Sequence, residues 1–357
     1  MFSMVSNNPR AVIFGIKGKS LLPAEVDFIN QYNPLGFILF SRNIENKTQV
    51  RQLVQQIKIV TGRHTPILID QEGGRVTRLK DPHWRHPPKA EIFGFIAKQD
   101  SIIARKACKL NAMLVALDLH ELGINTNCAP LLDIYFVNSH SVIGDRAFSD
   151  NREIVTELGV EMMEGFISCG VCPIMKHIPG HGRARADSHL ELPVIYTDYK
   201  TLLTSDFYPF IQLSHTAKWA MTAHILYNVI DANNPSTFST KLINEIRHTI
   251  NFKGIIITDC ITMKALSGSV TEKASKSFAA GCDIVLHSNS NLDEMLEIVN
   301  VSPQLTDTQL TIIAESYREL KAPSQMLSYE NLLNQFNDIV HKFSLSSALC
   351  KGFDPTE

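Results

Sequence analysis

The chain lacks any apolar run of the ~20 residues that a membrane-spanning helix needs. Its start, MFSMVSNNPRAVIFGIKGKS, has no basic segment followed by a long apolar stretch, so no secretory signal is read there. Excess charge is also missing. The formal net charge is −2, which offers no basic face to nucleic acid or to an anionic membrane. A second CxxC is absent, so Cys169 and Cys172 in ISCGVCPIM read as core packing and not as a redox or zinc pair. Seven cysteines, an odd number, are scattered through contexts such as INTNCAP and AAGCDIVL. That usage predicts reduced, buried thiols in a cytoplasmic protein. Neither standard glycine motif for phosphate occurs, since PGHGRAR has the wrong spacing. There is no low-complexity tract.

What is present is a regular alternation. At 357 residues the chain suits either two ordinary domains or one large α/β barrel with extensions. Eight short apolar runs read as strands buried on both faces: residues 10–16, 36–40, 66–70, 124–134, 172–178, 219–225, 254–259 and 282–288. Amphipathic stretches lie between them. In NKTQVRQLVQQIKIVTG, Val50, Leu53, Val54 and Ile57 share one face, and Gly62 is the expected stop. Leu110, Met113, Leu114 and Leu117 repeat the pattern before Gly123, and Leu242, Ile243, Ile246 and Ile250 do so before Gly254. Strand and helix alternating eight times predict a single-domain (β/α)8 barrel over residues 1–300. A doubly wound sheet is the alternative and needs no such count. Residues 301–345 predict a helical extension packed on the barrel, and 346–357 a flexible tail.

The polar residues gather where strands end, which is where a barrel keeps its active site. Asp70, Lys176-His177, His224, Asp259 and His287 fall at or near such ends, and IGDRAF, with Arg146, follows the fourth strand. A lone carboxylate closing an apolar strand is expensive to bury, so it usually has a task. Each taken alone also fits a capping Asp at a βα turn. Asp259 is a candidate nucleophile on a carbon centre. The stretch MKHIPGHGRARADSH (175–189) supplies a candidate proton donor. There Asp187 and His189 are two apart on a loop long enough to swing over a substrate. A carboxylate beside an imidazole fixes its tautomer and supports its protonated form. Asp70, Arg78, Arg146 and Lys176 make a ring of donors and acceptors of the kind sugar hydroxyls want. His181 precedes the flexible part, so it reads as an organiser of the loop and not as a catalytic group.

Several other readings compete. Histidines 177, 181, 189 and 224 with several aspartates could ligate zinc, but a Pro-Gly break between His177 and His181 rules out a helical ligand pair. No metal and no cofactor are therefore expected. A non-catalytic sugar-binding barrel would keep Asp70, Arg78 and Lys176 but has no use for Asp259, Asp187 and His189 together.

The ordered set ILIDQEGGRVTRL, IGDRAF, KHIPGHG…DSH…LP and TDCITM resembles glycoside hydrolase family 3, and within it the single-domain bacterial β-N-acetylglucosaminidases. The resemblance spans about residues 10–300. It implies a retaining mechanism with Asp259 as nucleophile, His189 as an unusual histidine acid/base and Asp187 as its dyad partner. It implies that Asp70, Arg78, Arg146, Lys176 and His177 bind the N-acetylglucosamine ring. The implied substrates are cytoplasmic muropeptides carrying GlcNAc β-1,4-linked to 1,6-anhydro-N-acetylmuramic acid, in peptidoglycan recycling. A β-glucosidase or a phosphorylase of the same family is the nearest alternative. Most retaining glycosidases use two carboxylates roughly 5–5.5 Å apart; a neutral histidine beside an anionic nucleophile avoids their like-charge conflict. The chain departs from the subgroup at Cys260, where a second acidic residue is usual, and in the loop arginines Arg183 and Arg185. Neither membrane nor nucleic-acid partners are expected, and a monomer is.

Overall fold

The computed structural model describes residues 8–324 and 327–343. The expected tail at 346–357 lies outside the described residues. Strands β1 (Arg10–Gly15), β2 (Pro34–Leu39), β3 (Ile67–Ile69), β4 (Thr126–Asn127) and β5 (Cys172–Ile178) are followed by β6 (Val194–Ile195), β7 (Trp219–Thr222), β8 (Leu226–Tyr227), β9 (Ile255–Cys260) and β10 (Ile284–His287). Eight of them close into a parallel barrel in the order β1-β2-β3-β4-β5-β7-β9-β10, while β6 and β8 pair separately above it. This is the (β/α)8 barrel that the alternation predicts.

The pleat sorts each strand's residues. Ala11, Ile13, Ile38, Leu68, Ile174, Trp219, Met221, Ile255, Ile257, Ile284 and Leu286 form one buried cluster inside the barrel. Their neighbours Val12, Phe14, Phe37, Ile67, Ile69, Met175, Ala220, Ile256 and Val285 belong to a second cluster, shared with the helices. A period of two on strands buried on both faces gives this division directly. Each such large side chain fully buried contributes roughly 1.5–3 kcal/mol.

The helices follow their caps. In Lys47–Thr61 the Asn46 side chain accepts from the Gln49 N–H, Gly62 ends the helix at φ 63°, and Val50, Leu53, Val54 and Ile57 are the buried face. Ser101–Leu122 begins on Asp100 and ends at Gly123 with φ 77°. The expected stop at Gly254 is a correction. That helix runs Thr240–Asn244, continues in a wider turn over Glu245–Thr249, and leaves through Asn251 at φ 60°. Gly254 is small for a different reason, because a Cβ there would meet the Lys218 carbonyl oxygen at 2.3 Å.

Two expected strands end well short of their predicted C-terminal bounds. Residues 124–134 keep only a two-residue ladder, because Ala129 turns back onto the Asn127 carbonyl and Pro130 has no N–H to give. Residues 219–225 stop at Thr222 before the chain bends to His224.

The C-terminal extension closes the other end of the barrel. Leu305 and Ile313 join the inner cluster beneath the strand starts. From the helix Asp307–Arg318, Ser316 Oγ accepts from Trp219 Nε1 at 3.0 Å, and the Tyr317 and Thr126 hydroxyls meet at 2.6 Å. The last helix, Tyr329–Lys342, buries Leu332, Phe336 and Val340 against the outer shell. The six described cysteines, Cys169 and Cys172 among them, are buried and free. Among the described residues no helix is long and apolar enough to cross a membrane.

Candidate active site

Three inward columns of the barrel are apolar until their last residue. On β5 they run Cys172, Ile174, then Lys176; above β3, Leu68 is followed by Asp70; on β9, Ile255 and Ile257 precede Asp259. The same pleat that builds the core therefore aims these three charges into the mouth. A cavity of about 260 Å3 opens there, lined by Asp70, Arg146, Lys176, His177, His181, Ser188, His189 and Asp259 among others.

Its floor is an ion network. Lys176 Nζ lies 2.7 Å from Asp70 Oδ1 and 2.6 Å from Glu72 Oε1. Arg146 grips Glu72 with Nε and Nη2 at 2.9 and 2.8 Å. Burial by itself would raise the Glu72 carboxyl, but Arg146 and Lys176 outweigh it and hold the group far below the usual carboxylate range. Burial would likewise lower the Lys176 ammonium, yet Asp70 and Glu72 push it up. The Glu72 and Lys176 charges are therefore held through the neutral range. Arg78 stands apart from the predicted ring. It is buried behind the wall, 3.5 Å from Asp70 Oδ2 and stacked 5.4 Å from the Phe40 ring centre. It braces two lining residues without lining the cavity.

Asp133 organises the next layer. Its Oδ2 is 2.7 Å from His177 Nδ1, and its Oδ1 accepts from the His181 N–H at 2.6 Å. His177 thereby turns Nε2 toward Asp259, whose Oδ2 is 3.9 Å away. Burial would raise the Asp259 carboxyl, but His224, His177 and His189, with the Cys260 N–H donating at 2.7 Å, bring it down to about 2. Asp259 is ionised at neutral pH. His224 is enclosed, bonded through Nδ1 to Thr237 Oγ1 at 2.7 Å and through Nε2 to the Cys260 carbonyl at 3.0 Å. It sits beneath the nucleophile candidate and fixes the backbone there.

The loop after β5 carries the remaining groups. His189 Nδ1 is 2.8 Å from Asp187 Oδ1, so the expected pair forms and Nε2 remains for the cavity. The same carboxylate oxygen accepts the His189 N–H at 2.9 Å. Burial would raise the Asp187 carboxyl; both His189 contacts and His140 lower it instead. The loop is not slack along its length. Arg183 chelates the buried Asp206 through Nε at 2.8 and 3.0 Å and stacks 3.9 Å from the Phe136 ring centre. Gly182 must be glycine, since a Cβ would strike the Ile134 carbonyl oxygen at 1.8 Å. Arg185 alone of the two arginines points outward, exposed.

One strand-end expectation is corrected. His287 faces away from the mouth, edge-on to Phe14 and bonded to Glu294 at 2.7 Å, because Leu286 takes the inward position on β10. Sequence reasoning missed Glu72, Asp133, Ser188 and Asp206 as parts of the site. A single carboxylate in the apolar run LLDIYF was the available signal for Asp133. Among the described residues no group of three or more His, Cys, Asp or Glu side chains is placed to hold a metal ion.

An ionised carboxylate and an imidazole–carboxylate pair in one pocket, above a fixed polar floor at the mouth of a parallel barrel, define the class as a barrel glycosidase. The chain belongs to glycosyl hydrolase family 3, whose N-terminal domain matches residues 18–318. It is 32% identical over 336 residues to a beta-hexosaminidase of Nitrosomonas eutropha, covering 92% of this chain and 95% of that protein. It is 35% identical over 293 residues to a beta-hexosaminidase of Methylobacillus flagellatus, covering 80% and 82%. The crystal structure of NagZ from Neisseria gonorrhoeae in complex with N-trifluoroacetyl-D-glucosamine superposes with a TM-score of 0.81 at 29% identity, covering 96% of both chains.

Proposed function

We propose that this chain is a retaining exo-β-N-acetylglucosaminidase. It removes terminal non-reducing GlcNAc from GlcNAc-β-1,4-anhydro-N-acetylmuramoyl peptides, as a monomer in the cytoplasm, during peptidoglycan recycling. The observation that carries this reading is that Asp259 and the Asp187-paired His189 line one cavity with Asp70, Arg146, Lys176 and His177. The names of the similar beta-hexosaminidases and of the sugar-bound NagZ support the sugar assignment.

In this mechanism Asp259 attacks the anomeric carbon and the glycosidic C–O bond breaks. His189 gives its Nε2 proton to the departing oxygen, while Asp187 holds Nδ1 and stabilises the imidazolium form of the acid. The neutral imidazole left behind then takes a proton from water, whose oxygen displaces Asp259 and restores both groups. Asp259 is available to attack because the surrounding histidines and the Cys260 N–H keep its carboxylate ionised. Asp70, Arg146, Lys176 and His177 bind the sugar ring, Arg78 supports Asp70, and His181 organises the loop root. No metal and no cofactor take part.

The test is release of nitrophenol from p-nitrophenyl β-N-acetylglucosaminide, with the β-glucoside alongside and with EDTA and inorganic phosphate as controls. A 5-fluoro-N-acetylglucosaminyl fluoride is used to trap the covalent intermediate. The reading requires metal-independent cleavage of the GlcNAc substrate and a glycosyl adduct on the Asp259 peptide. Preference for the glucoside would remove the sugar assignment. Rate acceleration by phosphate would make the enzyme a phosphorylase. An inverted anomeric product would remove the covalent step.

A further inference from the structure

Ser188 stands between the two members of the acid/base pair and is itself buried, at 3% exposure. Its hydroxyl lies 3.1 Å from His181 Nε2. Its carbonyl oxygen accepts the Ala265 N–H at 3.1 Å. These two bonds lead to different parts of the site. His181 is rooted on Asp133, the carboxylate that also orients His177. Ala265 belongs to the segment that leaves β9 just after Asp259. Further along the loop, the His140 N–H reaches the Ala184 carbonyl at 2.7 Å, and Arg183 is locked to Asp206. Between Ala184 and Ser188, Asp187 bonds to the nearby His189, Leu190 and Glu191, and Arg185 is exposed.

The geometry points to Ser188 as a positioning residue that latches the acid/base loop shut, fixing His189 with respect to both the strand-five root and the nucleophile strand. The inference rests on the glycosidase reading for its catalytic consequence, though not for the latch itself. Burial and the adjacent His177 push His181 down to about 4, so its ring is neutral at working pH. A neutral ring has one donor and one acceptor nitrogen. Nε2 is committed to Ser188, while Nδ1 is buried without a hydrogen-bond partner. Among the described residues, the serine is thus the one side-chain hydrogen-bond partner of this imidazole. A side chain that positions a general acid matters most when the leaving group needs its proton. A nitrophenolate leaves without that help; a sugar alkoxide does not.

The experiment compares wild type, Ser188→Ala and Ser188→Thr on two substrates, p-nitrophenyl β-N-acetylglucosaminide and N,N′-diacetylchitobiose. Alongside, limited trypsin digestion follows cleavage after Arg185. A hydrogen bond of ordinary net worth predicts about a five-fold fall in kcat on chitobiose for Ser188→Ala, with less than a two-fold fall on the nitrophenyl substrate and little change in KM. Cleavage after Arg185 is expected to quicken about five-fold at an unchanged Tm, and Ser188→Thr, which keeps the hydroxyl, to reverse both effects. Equal losses on the two substrates, or an unaltered cleavage rate at Arg185, would overturn the latch. If wild type cleaves neither substrate, the glycosidase reading fails, and the trypsin rates alone still decide whether Ser188 holds the loop.

Discussion

At the strand starts, Trp219, Ile255 and Ile284 pack with Leu305 and Ile313 in an apolar seal; Trp219 donates to Ser316 within it, and the ion pairs Lys218–Glu319 and Arg247–Asp283 lie around it. At the strand ends the same inward columns finish in Lys176 and Asp259 and in Asp70 just beyond β3, wired to Glu72, Arg146 and His177. Close packing of apolar atoms is cheap to bury and contributes stability. A buried ion network costs several kcal/mol per ion to desolvate and roughly returns that cost when every partner is present. The two ends therefore divide the labour: stability is concentrated below and chemistry above. Mutations at the mouth are expected to cost rate more than stability, and mutations at the seal the reverse.

Asp259→Asn gives the largest expected effect. It keeps the shape of the mouth and removes the attacking charge, so kcat on the nitrophenyl substrate falls on the order of 10⁴-fold, and at neutral pH the urea midpoint falls modestly because the contacts that favour the ionised carboxylate go with the charge. Full activity in that variant would end the assignment of Asp259. His189→Ala comes next. Loss of general-acid assistance predicts a fall of about 10²–10³-fold on chitobiose and a much smaller one on the nitrophenyl substrate. A uniform loss on both would assign His189 to binding. At the other end, Ile313→Ala removes buried methyl groups from the seal. Urea unfolding is expected to show a loss of about 3 kcal/mol, with kcat per folded molecule unchanged. A drop in kcat without a drop in stability would mean that the two ends are coupled.

The seal and the mouth were not equally legible in the sequence. The eight strands could be read because parallel strands covered on both faces are unbroken apolar runs, and the residue closing each run marks the mouth. Asp70, Lys176, His177 and Asp259 come to one cavity for that reason, and Asp187 and His189 reach it on the loop that leaves β5. His287 defeated the rule. Whether a strand-end residue points in or out depends on a one-residue register, and on β10 Leu286 takes the inward place. Glu72 and Asp133 stayed hidden because a carboxylate's role is set by partners far along the chain: Arg146 is 74 residues from Glu72, and His177 is 44 from Asp133. The part played by the C-terminal helix was hidden likewise. Its amphipathic pattern announces a packed helix, but only the barrel's open lower end says where it must pack.

Two buried carboxylates sharpen the comparison through pH, since their shifts have opposite signs. Asp259 is held down to about 2. The stability it adds is fully present above its unfolded value near pH 4 and drains as the pH falls toward 2. Asp118 lies away from the mouth, on the helix Ser101–Leu122, where Tyr329 of the last helix donates to its Oδ2 at 3.2 Å. Burial raises its carboxyl to about 6, with Arg85 and Tyr329 only partly offsetting the rise. Here the folded state binds the proton more tightly than the unfolded chain does. Its favourable contribution is full at acid pH and is lost as the pH rises through 6. Asp118→Asn keeps an acceptor for Tyr329 but cannot ionise. Any cost of leaving Arg85 beside a neutral side chain is the same at both pH values and cancels between them. The variant is therefore expected to gain on wild type by about 1 kcal/mol between pH 4 and pH 8, measured by urea unfolding, after allowance for partial exposure. A difference that stays flat across that range would mean Asp118 is ionised at no cost, and that the seam under the last helix is wetter than its packing implies.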